Sequence, residues 1–195
     1  MKRIGITGGI GSGKSFIANI IEKIGYPVYY SDLRSKELTN SHSIIQQGLI
    51  DLVGENVYFS GELDKKVLAT AIFSNDEIRL KVNQLIHPIV RQDFEDWTKA
   101  QTSDLIFNEA AILFETGAYR NFDATILVYA PEELRLKRVL KRDIITKEEV
   151  LARVNYQMSD EEKLKMTPYS VLNDGKSPIL IQIETILEEI KFIQV

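Results

Sequence analysis

Apolar positions along the chain follow two different spacings. Arg3-Ile4-Gly5-Ile6-Thr7, Pro27-Val28-Tyr29-Tyr30, Asp104 to Glu109 and Thr125 to Tyr129 are short runs dense in β-branched and aromatic residues. Such runs predict strands buried on both faces. Tyr169 to Leu172 is a fifth candidate. Between them the spacing changes to three and four. Phe16, Ile17, Ile20, Ile21 and Ile24 form one helical face, ended by Gly25. Ile44, Ile45, Leu49, Leu52 and Val53 form a second, and Val67, Leu68, Ala71 and Ile72 a third.

Terminator and cap residues set the remaining boundaries. Ser31-Asp32 follow the second strand, and a short helix is expected from Leu33 to Thr39. Gly54 ends the Ile44–Val53 helix as a C-cap glycine, and 54–61 reads as a loop. Ser74 and Glu77 predict a capping box, and His87-Pro88 predicts a break before a further helix that ends near Lys99. Pro131 opens a helix that runs to Arg142. Thr146 with Glu149, then Ser159 with Glu162, predict two more starts. Ser177 as N-cap with Pro178 at the first turn opens the last helix.

Strands alternating with helices predict an α/β fold, a parallel sheet covered on both faces. Residues 41–100, helical throughout, read as an insertion after the second strand. Ligands of open parallel sheets sit at the carboxyl ends of the strands. Asp32, Glu109 and the turn after the first strand all fall there.

That turn is Gly8-Gly9-Ile10-Gly11-Ser12-Gly13-Lys14-Ser15, which fits the phosphate-loop pattern. Its backbone N–H groups form a nest, and the following helix points its positive end at the same place. Gly11, Ser12, Gly13, Lys14, Ser15 and the backbone of Phe16 are the expected contacts to a nucleoside triphosphate. Lys14 reaches its β- and γ-phosphates, and the Ser15 hydroxyl holds Mg²⁺. Asp32 suits an acid that orients or deprotonates an attacking hydroxyl, or holds Mg²⁺ through water. Glu109 fits either a carboxylate near the magnesium or a substrate contact.

Composition narrows the choices. The chain has 195 residues, 44% of them hydrophobic, enough for one domain with an inserted part. Its formal net charge of −4 argues against a nucleic-acid surface, so phosphate-binding cations must be local. Arg135, Arg138 and Arg142 share a helix face and supply such cations, with Arg153 on the next helix; the bland alternative pairs them with Glu132, Glu133 and Asp143. Cysteine is absent, and only His42 and His87 could offer imidazole to a metal. The first residues lead straight into a strand and no long apolar run occurs, so a soluble cytoplasmic protein is expected. Arg91 suits a phosphate or a carboxylate such as Asp93. Asn173-Asp174-Gly175 is a turn by its chemistry. Asp51-Leu52-Val53-Gly54 spells a GTPase-like motif but follows a helix, and no guanine-reading motif is found.

These pieces together resemble the dephospho-coenzyme A kinase family over nearly the whole chain. The resemblance rests on Thr7 to Ser15, Asp32, His87-Pro88, Leu113-Phe114-Glu115, Arg138 with Arg142-Asp143, Gln157 and Asn173-Asp174-Gly175. It implies a phosphate-loop fold in three parts: a nucleotide-binding core of 1–30, 101–140 and 166–195, a helical acceptor domain of 31–100, and a small lid of 141–165. It implies ATP as donor, Mg²⁺, and phosphorylation of the ribose 3′-hydroxyl of dephospho-coenzyme A. Asp32 would engage the acceptor hydroxyl and His87 the acceptor side. Arg142 and Asn173 would contact ATP, near its phosphates and its adenine. Phe16, Ala110-Ala111-Ile112, Arg135 and Pro168 depart from the family's usual residues, Arg135 standing where Gln is common. The rival reading is another small kinase, for a nucleoside or a nucleoside monophosphate. A monomer or weak homo-oligomer is expected, without nucleic-acid or membrane partners.

Overall fold

The computed structural model describes residues 1–143, 146–155 and 157–193, with 149, 151, 153 and 155 described for their backbone only. In chain order the elements are β1 (Lys2–Thr7), α1 (Lys14–Ile24), β2 (Val28–Tyr30), α2 (Ser31–Ser41), α3 (Ser43–Val53), β3 (Tyr58–Phe59), β4 (Glu62–Leu63), α4 (Lys65–Ser74) and α5 (Asp76–Lys99). Then come β5 (Leu105–Glu109), β6 (Ala124–Tyr129), α6 (Glu132–Arg142), α7 (Lys147–Asn155), α8 (Asp160–Leu164), β7 (Tyr169–Leu172) and α9 (Ile179–Lys191). They divide into two compact units, 1–30 with 101–195, and 31–100. Among the described residues no helix is long and apolar enough to cross a membrane.

The first unit is a five-stranded parallel sheet in the order β2-β5-β1-β6-β7. Ile4, Ile6, Phe107, Ile126, Val128 and Val171 project from it into one core. The stripe Ile17, Ala18, Ile21 of α1 and the stripe Ile183, Ile186, Leu187, Ile190 of α9 close that face. On the other side Leu113, buried in the segment after β5, lies against Gly5. A β-carbon at position 5 would stand 2.7 Å from Leu113 Cδ1, which would have to move aside. β5 lies between β2 and β1. All five residues of β5 are buried, which suits an interior position.

The Lys2 ammonium secures the end of α9, donating to the carbonyls of Ile190 (3.0 Å), Lys191 (2.8 Å) and Ile193 (2.6 Å). A cation there satisfies helix-end carbonyls and opposes the dipole. Lys2→Ala is expected to cost about 1–2 kcal/mol, seen as a thermal midpoint about 3–6 °C lower. A melt followed by circular dichroism checks this, and an unchanged midpoint would show that water replaces the ammonium.

The second unit gathers α2 to α5 around Leu38, Ile45, Leu49, Val57 and Val82. Four expectations change here. Pro88 does not break the helix: α5 runs unbroken from Asp76 to Lys99. Ile78, Val82, Leu85, Ile86, Ile89 and Val90 pack into one cluster from both sides of the proline. Gln84, whose carbonyl loses its donor, is exposed to water. The cap of α5 is Asn75, accepting from the N–H groups of Glu77 and Ile78, rather than a Ser74–Glu77 box. The 54–61 stretch holds a 3₁₀ turn, Glu55–Val57, and the first strand of a small hairpin, Tyr58–Phe59 paired with Glu62–Leu63. Gly54 does cap α3, with φ 109° and its N–H on the Ile50 carbonyl. Helix α2 starts at Ser31, two residues before the expected position, so Asp32 lies in its first turn. In the first unit, α9 begins at Ile179 with Pro178 as its cap, one residue later than expected. The Ser159–Glu162 capping box is fully formed, whereas the Glu149 side chain expected at the start of α7 lies outside the described residues.

Candidate active site

In the first unit the phosphate loop joins β1 to α1, and its trailing half is held from behind. The Ser12 carbonyl accepts the Asn173 side-chain amide at 2.8 Å and Arg138 Nη1 at 3.4 Å. Arg138 Nη2 in turn donates to Asn173 Oδ1 at 3.3 Å. Gly13 has φ 91°, and a β-carbon there would run into Asn173 Nδ2, so a side chain is excluded both by conformation and by space. Asn173 is held by its own place at the end of β7, where its N–H donates to the Tyr129 carbonyl. The following turn is fixed by Asp174, which accepts from the N–H groups of Lys176 and Ser177.

Lys14 and Ser15 converge on one carboxylate. Glu109, at the carboxyl end of β5 and 3% exposed, accepts the Ser15 hydroxyl at 3.1 Å. The Lys14 ammonium lies 3.7 Å from the same oxygen. Tyr30 is opposite Glu109 in the β2–β5 register. Burial, a hydrogen bond to Glu22 and the nearby negative charges push its phenol up to about 12, so it stays protonated.

A cavity of about 380 Å³ opens beside this cluster. It is lined by Gly11, Gly13, Lys14, Ser15, Phe16, Arg138, Val139, Arg142 and Asn173. The structure thus brings together every expected nucleotide contact except Ser12, whose side chain is buried against Gly8. Phe16 gives the cavity its exposed ring, while its N–H already donates to the Gly13 carbonyl. Arg142 is held by its neighbour Asp143 through two 2.8 Å bonds, and that carboxylate raises its pKa. An exposed pair of this kind is worth little, so Arg142 can exchange Asp143 for a phosphate at small cost. The Arg153 side chain lies outside the described residues.

Asp32 and His87 belong to the other unit. Asp32 is half-buried in the first turn of α2, and no hydrogen bond or ion pair engages its side chain among the described residues. The same helix is tied to α5 by Arg34, which grips both Asp93 oxygens at 3.0 and 2.7 Å and also pairs with Glu37. The sequence offers Arg91 as one partner for Asp93; the structure pairs Asp93 with Arg34, 59 positions away. His87 is half-buried in α5, and burial, then the Arg91 charge, hold its imidazole below its ordinary pKa.

Sequence reasoning did not find the bracing of the loop by Arg138 and Asn173, the Arg34–Asp93 grip, or the buried pair of Lys163 with Glu115. None carries a local signal, because the partners are far apart along the chain.

Comparison with known proteins gives a consistent picture. A family model described as dephospho-CoA kinase matches residues 2–178. A dephospho-CoA kinase of Bacteroides fragilis is 43% identical over 98% of this chain and 92% of the relative. The crystal structure of TT1252 from Thermus thermophilus superposes with a TM-score of 0.85 at 34% identity, covering 99% of this chain and 98% of the other. A dephospho-CoA kinase from Campylobacter jejuni does so with 0.65 at 25% identity, covering 97% and 95%.

Proposed function

The chain belongs to the dephospho-coenzyme A kinase family, and from that premise we propose how its residues divide the transfer of a phosphoryl group from ATP to dephospho-coenzyme A. The family's role is the final step of coenzyme A synthesis, a kinase reaction with ATP as donor. The observation that carries the division of labour is the convergence of Lys14 and Ser15 on Glu109 beside the loop's N–H groups. The loop from Gly11 to Lys14 holds the phosphate chain, and Phe16, Arg142 and Asn173 contact the rest of the nucleotide. Arg138 and Arg142 neutralise charge on the transferring group. Asp32 orients or deprotonates the ribose 3′-hydroxyl, and His87 lies on the acceptor side. Residues 31–100 bind the acceptor, and 141–165 act as a lid that excludes water.

The donor set suits Mg²⁺. The Ser15 hydroxyl and the Glu109 carboxylate are hard oxygen donors meeting at 3.1 Å. Among the described residues no group of three acidic, histidine or cysteine side chains could form an all-protein cage. Magnesium bound to nucleotide keeps its waters and phosphate oxygens and needs few protein ligands. Ser15 would hold it directly and Glu109 through water. When bound, the ion draws charge from the phosphates during transfer.

As an ATP user without a surplus of positive charge, the protein is expected to act in the cytoplasm, free of nucleic acid and at most weakly self-associated. The acceptor assignment is tested by measuring ADP release against a panel. Dephospho-coenzyme A is expected to be phosphorylated at its 3′-hydroxyl, with nucleosides and nucleoside monophosphates near background. Full activity on a monophosphate with none on dephospho-coenzyme A would hand the function to the rival small kinase.

A further inference from the structure

The trailing half of the phosphate loop is braced by Arg138 and Asn173, but the leading half, Gly9-Ile10, is gripped by a different part of the fold. The Ile10 N–H donates to Gln157 Oε1 at 2.8 Å. Arg135 Nη1 occupies the space that a β-carbon on Gly9 would need. The Arg135 guanidinium also lies 3.7 Å from Asp160, and both side chains are largely buried. Gln157 and Asp160 flank the turn that leads into α8.

That turn is itself anchored. Glu115, in the segment after β5, accepts the Met158 N–H at 3.0 Å. The same oxygen is 2.7 Å from Lys163 Nζ, whose side chain is wholly buried. The capping box closes the start of α8. The distal end of the proposed lid is therefore anchored against the leading half of the loop, touching Ile10 through Gln157 and reaching Gly9 through Arg135 of α6.

We infer that the 157–163 segment is a brace for the phosphate loop, with Gln157, Asp160 and Arg135 as positioning residues that act on ATP through Gly9 and Ile10. They line a separate cavity of about 620 Å³, which shares none of Gly11, Lys14 and Ser15 with the cavity beside the loop. A glycine-rich loop has much freedom to lose when its N–H groups must all face an anion. Holding it in place before the nucleotide arrives removes that cost from binding, and preorganised donors stabilise transferring charge without rearrangement.

This inference rests on the kinase reading for its meaning but not for its test, since ATP binding can be measured without acceptor. Titration calorimetry with ATP and magnesium is compared for the parent, Gln157→Ala and Asp160→Asn. Gln157→Ala is expected to raise the ATP dissociation constant about five- to tenfold, as loss of one well-formed hydrogen bond does. The melting temperature without nucleotide and the KM for dephospho-coenzyme A are expected to stay unchanged. Asp160→Asn is expected to act in the same direction, and the double variant by less than the product of the two, since both loosen one segment. Should Asp160→Asn fail to fold, Gln157→Ala decides. An ATP affinity within twofold of the parent in Gln157→Ala overturns the inference. So does a lowered melting temperature with ATP affinity intact, or a higher acceptor KM alone. A parent protein that binds ATP yet leaves dephospho-coenzyme A untouched would sink the substrate reading and leave the brace measurable.

Discussion

Asp32→Asn is expected to lower kcat by about 10²–10⁴-fold while ATP binds as tightly as before. Asparagine keeps the shape and one acceptor oxygen but cannot take a proton from the ribose hydroxyl. The groups proposed to hold ATP, Lys14, Ser15 and the loop N–H groups, belong to the other unit and are not altered. Nothing among the described residues occupies the Asp32 carboxylate, and Arg34, two residues on, fixes α2 to α5 through Asp93. The acid is therefore on a rigid helix and uncommitted, as a group awaiting a substrate hydroxyl should be. Rates of ADP release at saturating ATP, with ATP affinity by calorimetry, check the split. Turnover within about twofold of the parent, under ~0.5 kcal/mol in the barrier, would remove Asp32 from the chemistry. Loss of ATP affinity along with turnover would move it to magnesium binding.

The second large effect falls on stability. Lys163→Met is expected to cost about 3 kcal/mol, because it leaves the Glu115 carboxylate in a largely buried place with only the Met158 N–H. In a chain of this size that lowers the melting temperature by about 6–12 °C. The double variant Lys163→Met with Glu115→Gln is expected to recover much of the loss, since the stranded charge is gone and an acceptor for Met158 remains. Calorimetric melts of the three proteins check this. A Lys163→Met single variant as stable as the parent would mean that water reaches Glu115 and the pair contributes nothing.

Local chemistry makes much of the fold legible. Short continuous apolar runs mark all five strands of the parallel sheet, and 3.6-residue spacing marks most helices, because burial forces those patterns. The Ser159–Glu162 capping box and the Gly54 cap involve neighbours only, and both form as expected. Pro88 misleads because the sequence shows the missing donor but not the cluster of isoleucines, leucines and valines that holds α5 together on both sides. The place of β2 is not legible for a similar reason. Strand order depends on which long-range pairings win, and no residue of β2 announces β5 as its partner. The loop, Lys14 and Ser15 are found by motif. Their dependence on Asn173, Arg138 and Gln157 is not, since those partners lie more than a hundred positions away.

The strand order has a consequence for how the chain matures during translation. β1 spans Lys2–Thr7, yet its two sheet neighbours are β5 and β6, encoded after residue 100. As the polypeptide leaves the ribosome, the glycine turn and α1 emerge long before either flanking strand exists. They must wait as an unpaired apolar stretch, a state that slows folding and invites aggregation. Nascent chains that stop short of Asn173 also lack the amide that seats the Ser12 carbonyl.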